Sequence, residues 1–270
     1  MEVWQGPAVW IYNDAEFTDH DFQSLIKLGV GEKDDTKIGK FGIGFNCAFH
    51  VTDLPSFVSG KYIAFLDPHA KFLPPKGYPR RSPRGIRIDF KEKKFKENFP
   101  DQCYPYEAIF NFIDKKFPGK GCDFSKEFKG TLFRLPLRTP ESAIDSGILN
   151  KVIEIRKIKE LLNSIEGSNE MLFLRNVVSC GLYNHMRSSR NIELTWETKI
   201  NIDDKHRKFR QEVIYREQTY RLDIESINQV QDRKVSEIWA ICTGGHEKTR
   251  QEFKKFSKFS EEKRLMVCFS

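Results

Sequence analysis

The sequence predicts an α+β protein, and three observations lead there. Short β-branched and aromatic runs recur along the 270 residues, several alternating apolar with polar positions as half-buried strands do. Below about residue 140 these runs are interrupted by a helix start and a glycine-rich turn. Above it, after one stretch of helical spacing, they follow one another. The third is composition: 39% hydrophobic, 31% charged and rich in Phe with 23, which builds a core rather than a disordered chain. The expected division is a first domain over residues 1–140 and a smaller β-rich α/β continuation over 141–270.

The elements follow in order. Ala8 to Tyr12 (AVWIY) reads as a strand ending at Asn13-Asp14. Thr18-x-x-Asp21 is a helix start, the hydroxyl accepting an orphan N–H with acid in the first turn. Phe22, Leu25 and Ile26 give that helix an apolar face, and Gly29 suits its end. Ile38 to Asn46 (IGKFGIGFN) is a glycine-rich turn leading into a short apolar helix, Cys47 to Val51. Ser56 to Leu66 reads as a hairpin about Ser59-Gly60, followed by the turn Asp67-Pro68-His69. Five of the twelve prolines fall between Pro68 and Pro83, which predicts an exposed loop. Arg84 to Phe90 and Gly130 to Arg138 alternate as strands. Ile148, Val152, Ile155, Ile158, Leu162 and Ile165 recur at helical spacing until Gly167. Met171 to Val178, Ile192 to Ile200, Phe209 to Leu222 and Val235 to Thr243 are strand-like, and the charged tail Lys248 to Lys263 suits a surface helix or a disordered end.

Several function classes fall away. No apolar run approaches the ~20 residues of a membrane helix. The start Met1-Glu2-Val3-Trp4 shows no secretory signal, so a cytoplasmic location is expected. The six Cys include no C-x2-C pair and the six His no HExxH, so neither a redox dithiol nor a metal site is predicted. The net charge of +7 is local, with 17 Lys/Arg against 8 Asp/Glu between Lys71 and Arg138. Without a helix-turn-helix, zinc finger or RNP motif, that surplus reads as a solvated loop, and nucleic acid is not an expected partner.

The chemistry concentrates in three places. Gly39, Gly42 and Gly44 are spaced G-x-x-G-x-G, which matches neither a Walker A loop nor a dinucleotide turn. Closely spaced glycines let backbone N–H groups approach an anion without interference from Cβ. The helix expected just after them would add the positive end of its dipole. Asp14 closes an apolar strand, where a carboxylate can accept from the exocyclic amine of adenine and reject a 6-oxo purine. Thr131 opens a late strand and could hold the same base through its hydroxyl or a bound water. Each has a plainer reading as well: a tight turn, an Asx turn and a β-branched residue in a sheet.

In order, YND (12–14), IGKFGIGFN (38–46), FLDPH (65–69) and GTLFRLPLR (130–138) resemble the Bergerat-fold or GHKL ATPases, the gyrase, heat-shock chaperone, histidine kinase and mismatch-repair group. The chain is most similar to the chaperone-like repeats of the sacsin type, and the likeness continues through LFLRNV (172–177), EIWAICTGG (237–245) and EEKRL (261–265). The resemblance implies a mixed, mostly antiparallel sheet with helices on one face and ATP between them. It makes Asp14 the adenine-recognising aspartate and Gly39, Lys40, Phe41, Gly42, Ile43 and Gly44 the phosphate-cradling segment. Thr131 becomes the threonine completing the adenine pocket, and Val30 to Lys37 the lid.

Two departures qualify the resemblance. Asp14-Ala15-Glu16-Phe17-Thr18 lacks the glycines of the usual D-x-G-x-G box, a variant that sacsin-like members share. Only thirteen residues precede Asp14, without the helix that bears the catalytic Glu and the Mg²⁺-holding Asn. The expectation is therefore a chaperone-associated ATP-binding module for protein quality control, weak or inactive in hydrolysis, with client or co-chaperone proteins as partners. Mg²⁺ enters only if an upstream helix is supplied, and one face of the sheet would be left open. The alternatives are a protein-interaction scaffold that binds no nucleotide and an ATPase completed from upstream.

Overall fold

The computed structural model describes residues 4–26, 44–74, 83–92, 94–166, 171, 174, 176–185, 191–211, 218–244 and 265–269. They fall into two compact units, one holding the described residues up to Ile158 and one holding those from Lys159 onward.

The first unit is built on a five-stranded sheet of β1 (Ala8–Asn13), β2 (Ser56–Gly60), β3 (Tyr62–Leu66), β4 (Gly85–Asp89) and β5 (Phe128–Pro136). Their order across the sheet is β1-β5-β2-β3-β4, and every pairing is antiparallel. The β2–β3 hairpin turns at Gly60, whose φ of 56° is easy only for glycine. β5 lies inside the sheet, between β1 and β2, covered on both faces: all but Lys129 and Phe133 of its nine residues are buried.

Strand alternation sorts the side chains by face. On one face, Trp10 meets Tyr106 edge-to-face at 5.0 Å and Ser56 bonds the Tyr106 hydroxyl at 2.7 Å. Tyr106 belongs to α3 (Pro100–Lys116), which follows the short α2 (Phe95–Asn98). Phe90, Phe95, Phe110, Phe124 and Phe128, five of the 23 Phe, complete an aromatic core there. The other face carries Phe57, Phe133 and Thr131, and α1 (Asp19–Ile26) lays Phe22 on it, stacked on Phe57 at 5.6 Å. The α+β class holds, with helices on both faces rather than one. Among the described residues of the sheet, Ile11 on the β1 edge is 47% exposed.

Several expectations change in detail. α3 lies where no helix is predicted, although Cys103, Tyr106, Phe110 and Ile113 face the core at helical spacing. Pro100 at its start is favourable, and Pro105 inside it disguises the pattern. The helix expected over Ile148–Ile165 is shorter, α5 being Ile155–Asn163, after a short α4 (Pro140–Ile144). Before α5 the chain is not helical, and Ile153 N–H donates to the Arg138 carbonyl at 2.9 Å. Tertiary bonding there overrides periodicity.

The second unit holds another antiparallel sheet, ordered β10-β9-β8-β7-β6. Its strands are β6 (Ser179–His185), β7 (Ile192–Asn201), β8 (Gln218–Asn228), β9 (Arg233–Gly244) and β10 (Leu265–Phe269). Trp196, Thr198 and Ile200 of β7 pair with Asn228, Ser226 and Ile224 of β8 to make one buried face. The strand expected over Phe209–Leu222 is divided: α6 (Asp204–Gln211) takes its start and β8 opens at Gln218. Asp203 wins that contest by capping α6, accepting from His206 N–H at 2.9 Å. The described residues of Met171–Val178 form no strand, and the ladder begins at Ser179. Gly29 and the tail Lys248–Lys263 lie outside the described residues.

Candidate functional site

β5 gathers the motifs that are far apart in sequence. Its Thr131 stands opposite Asn13 of β1 and opposite Ser59 of β2, so Asp14 leaves the sheet one step from Thr131. Two residues along the same face, Phe133 receives the ring of Phe45 at 5.7 Å. Phe45 lies in the 3-10 helix Gly44–His50, which takes the place of the short helix expected after the glycine turn. The structure thus brings the strand end that precedes Asp14, Thr131 and the 3-10 helix entered at Gly44 to β5. Gly39, Lys40, Phe41, Gly42 and Ile43 lie outside the described residues, as does Val30–Lys37.

Close approach of β1 to β5 depends on Gly130. A Cβ there would stand 2.7 Å from the Asn13 carbonyl oxygen and 2.9 Å from the Tyr12 ring. Gly44 differs: a Cβ on it would meet nothing within 4 Å among the described residues.

Asp14 is exposed and accepts no hydrogen bond or ion pair among the described residues. Its negative charge is nevertheless felt by Tyr12, whose hydroxyl is pushed above its usual range first by burial and then by Asp14. Thr131 is buried, and its hydroxyl donates to the Ala15 carbonyl at 2.7 Å. Ser59, also buried, stands 2.9 Å from the Thr131 hydroxyl and accepts from Phe17 N–H at 2.8 Å. An Asx turn adds a third anchor, Ala15 N–H to Asn13 Oδ1 at 3.1 Å. The loop after Asp14 is held by its backbone, so it manages without the glycines of the usual box.

A second group of buried polar residues fixes the 3-10 helix. Arg138, at 0% exposure, bonds Asp53 through Nε at 2.5 Å. Its Nη1 and Nη2 donate to the carbonyls of His50 and Phe49 at 2.7 and 2.6 Å, the last carbonyls of that helix. Asp53 also accepts from Ser146 Oγ and from Gly147 N–H at 3.0 Å. Ser59 and Arg138 are the residues sequence reasoning missed. Ser59 had only its place at a hairpin turn, and Arg138 only its place at the end of an alternating strand.

An adenine nucleotide is the group the sequence resemblance implies. The residues fit it in one observable respect: Asp14 offers an exposed carboxylate beside a rigid sheet end, with its acceptor capacity open. Among the described residues no group of His, Cys, Asp and Glu is placed to hold a metal ion, and no helix is long and apolar enough to cross a membrane.

Comparison with known proteins gives the family. The family model for the sacsin domain matches residues 1–197. Human sacsin is 34% identical over 187 residues, which is 68% of this chain and 4% of that protein, so the chain spans only a small part of its relative. With most of its length matched by the family model, including every strand that frames the β5 site, this chain belongs to the sacsin domain family.

Proposed function

We propose that this chain is a nucleotide-binding module of the sacsin type. In this reading an adenine nucleotide lies against the Thr131–Phe133 face of β5, with Asp14 accepting from the exocyclic amine. The segment Gly39–Gly44 offers backbone N–H groups to the phosphates. The observation that carries the reading is the convergence on β5: Asn13 pairs with Thr131 while Phe45 packs on Phe133, two residues along the same face. An exposed acceptor near a half-buried aromatic layer of Phe17, Phe45 and Phe133 would suit a flat heterocycle with one polar edge. The module's setting is a chaperone-associated one, with client or co-chaperone proteins as the partners of the larger assembly.

Titration of the purified chain with fluorescently labelled ATP, beside an Asp14→Asn variant, tests it. The wild-type chain is expected to bind and the variant to lose at least about tenfold in affinity, the loss of a charge-assisted hydrogen bond. Equal affinity in both chains, or binding by neither, would refute the reading and leave a scaffold that works without nucleotide.

A further inference from the structure

The hydroxyls of Ser59 and Thr131 raise a question of proton accounting. A hydroxyl has one proton to give and two lone pairs to receive. Thr131 stands 2.7 Å from the Ala15 carbonyl, which can only accept, so the Thr131 proton is committed there. At the 2.9 Å contact between the two hydroxyls, Ser59 must then be the donor. It shares that proton with the Gly130 carbonyl at 3.2 Å. Ser59 in turn receives the Phe17 N–H at 2.8 Å. The result is a directed ring: Phe17 N–H to Ser59, Ser59 to Thr131, Thr131 back to the Ala15 carbonyl. It opens and closes on the same loop, the one that begins at Asp14.

Both hydroxyls are fully buried, so water does not compete for these bonds, and bonds in such a chain reinforce one another. Each contact with the loop is to its backbone. The ring therefore fixes the path of Ala15 to Phe17 whatever side chains stand there, and with it the exit direction of Asp14. A Thr131 whose proton is held by Ala15 has none left to give to a base.

We propose that Ser59 and Thr131 are positioning residues that set base selectivity without donating a hydrogen bond to the base. They hold the Asp14 carboxylate where it accepts from a 6-amino purine and repels a 6-oxo purine. This rests on the nucleotide-binding reading above and refines it, moving Thr131 from ligand to support. The selectivity arises because a fixed acceptor facing O6 is repulsive, whereas an acceptor free to swing aside is not.

The experiment compares ATP and GTP affinities of the full chain and its Ser59→Ala, Thr131→Val and Thr131→Ser variants by calorimetry. Amide exchange at Phe17 is read in parallel without nucleotide. The wild-type chain should prefer ATP by at least about tenfold. Ser59→Ala and Thr131→Val should each weaken ATP by about tenfold, the loss of one buried bond, while GTP binds more tightly as the repulsion at O6 is relieved, so the preference collapses. Thr131→Ser should restore it, since it returns the hydroxyl. The Phe17 amide should exchange faster in Ser59→Ala than in the wild-type chain while β2 and β5 amides stay protected. A variant that keeps both the ATP preference and Phe17 protection overturns the proposal and leaves nucleotide binding standing. If Thr131→Val does not fold, Ser59→Ala and Thr131→Ser decide alone. A wild-type chain that binds neither nucleotide, with Phe17 still protected, overturns the nucleotide reading itself and the selectivity role with it.

Discussion

Arg138 shows what one buried charge can organise. Its guanidinium joins the end of β5, the last carbonyls of the 3-10 helix and, through Asp53, the turn at Ser146-Gly147. Removing two charges from water is costly, and here the cost is offset because Asp53 meets the guanidinium and further donors while two carbonyls take up its remaining N–H groups. Removing one partner would strand the other. Arg138→Met should therefore lose about 3–5 kcal/mol in urea denaturation, and Arg138→Met with Asp53→Leu should recover part of it. A single-variant loss below about 1 kcal/mol would show that the pair is dispensable. Little of this was legible beforehand. A charged residue closing an alternating strand is ordinarily solvated, and here the 3-10 helix carbonyls and Asp53 gather about it only in the folded chain.

Elements were more readable than residues, because periodicity and turn chemistry are local. β1, the β2–β3 hairpin and β4 stand close to where apolar alternation and Gly60 place them. The helix start at Thr18 is a reciprocal cap: Asp21 N–H donates to Thr18 Oγ1 at 3.3 Å, and Thr18 N–H to Asp21 Oδ2 at 2.9 Å. Gly130 belongs to this scale as well, since it decides how near β1 lies to β5. Gly130→Ala should push the two strands apart, lowering stability by more than about 1 kcal/mol. Amide protection should be lost along Ala8–Asn13, and ATP affinity should fall with it. Hydrogen exchange read strand by strand checks this, and unchanged protection in β1 would contradict it. α3 marks the limit of local reading: its apolar spacing is present, but Pro105 argues against a helix unless the aromatic core beneath it is known.

At the scale of the whole molecule, the aromatic core between the first sheet and α3 governs the response to alkali. Burial pushes the Cys103 thiol up to about 12, the Cys122 thiol to about 11 and the Tyr106 hydroxyl to about 12. In the unfolded chain the same groups release protons from their ordinary values of 9.0 and 10.0. Above pH 9 the unfolded state therefore sheds protons that the folded state keeps, so stability falls with rising pH. The stabilisation is complete below pH 9 and is lost as pH rises through 11 to 12. Thermal melts at stepped pH should decline over that window, and a Cys103→Ala, Cys122→Ala variant should decline less steeply at its lower end. A melting temperature that stays level through pH 11 would exclude this account. By itself, the sequence determined the α+β class, the strands framing the first sheet, the family and the three motifs, since each is written in nearest neighbours and short spacings. Only the tertiary structure decided that Thr131 supports the loop carrying Asp14, that Ser59 joins it and that Arg138 is buried. Proton donors and acceptors are assigned by distance in space, and residues as far apart as Ala15, Ser59 and Thr131 acquire that distance only when strands pair.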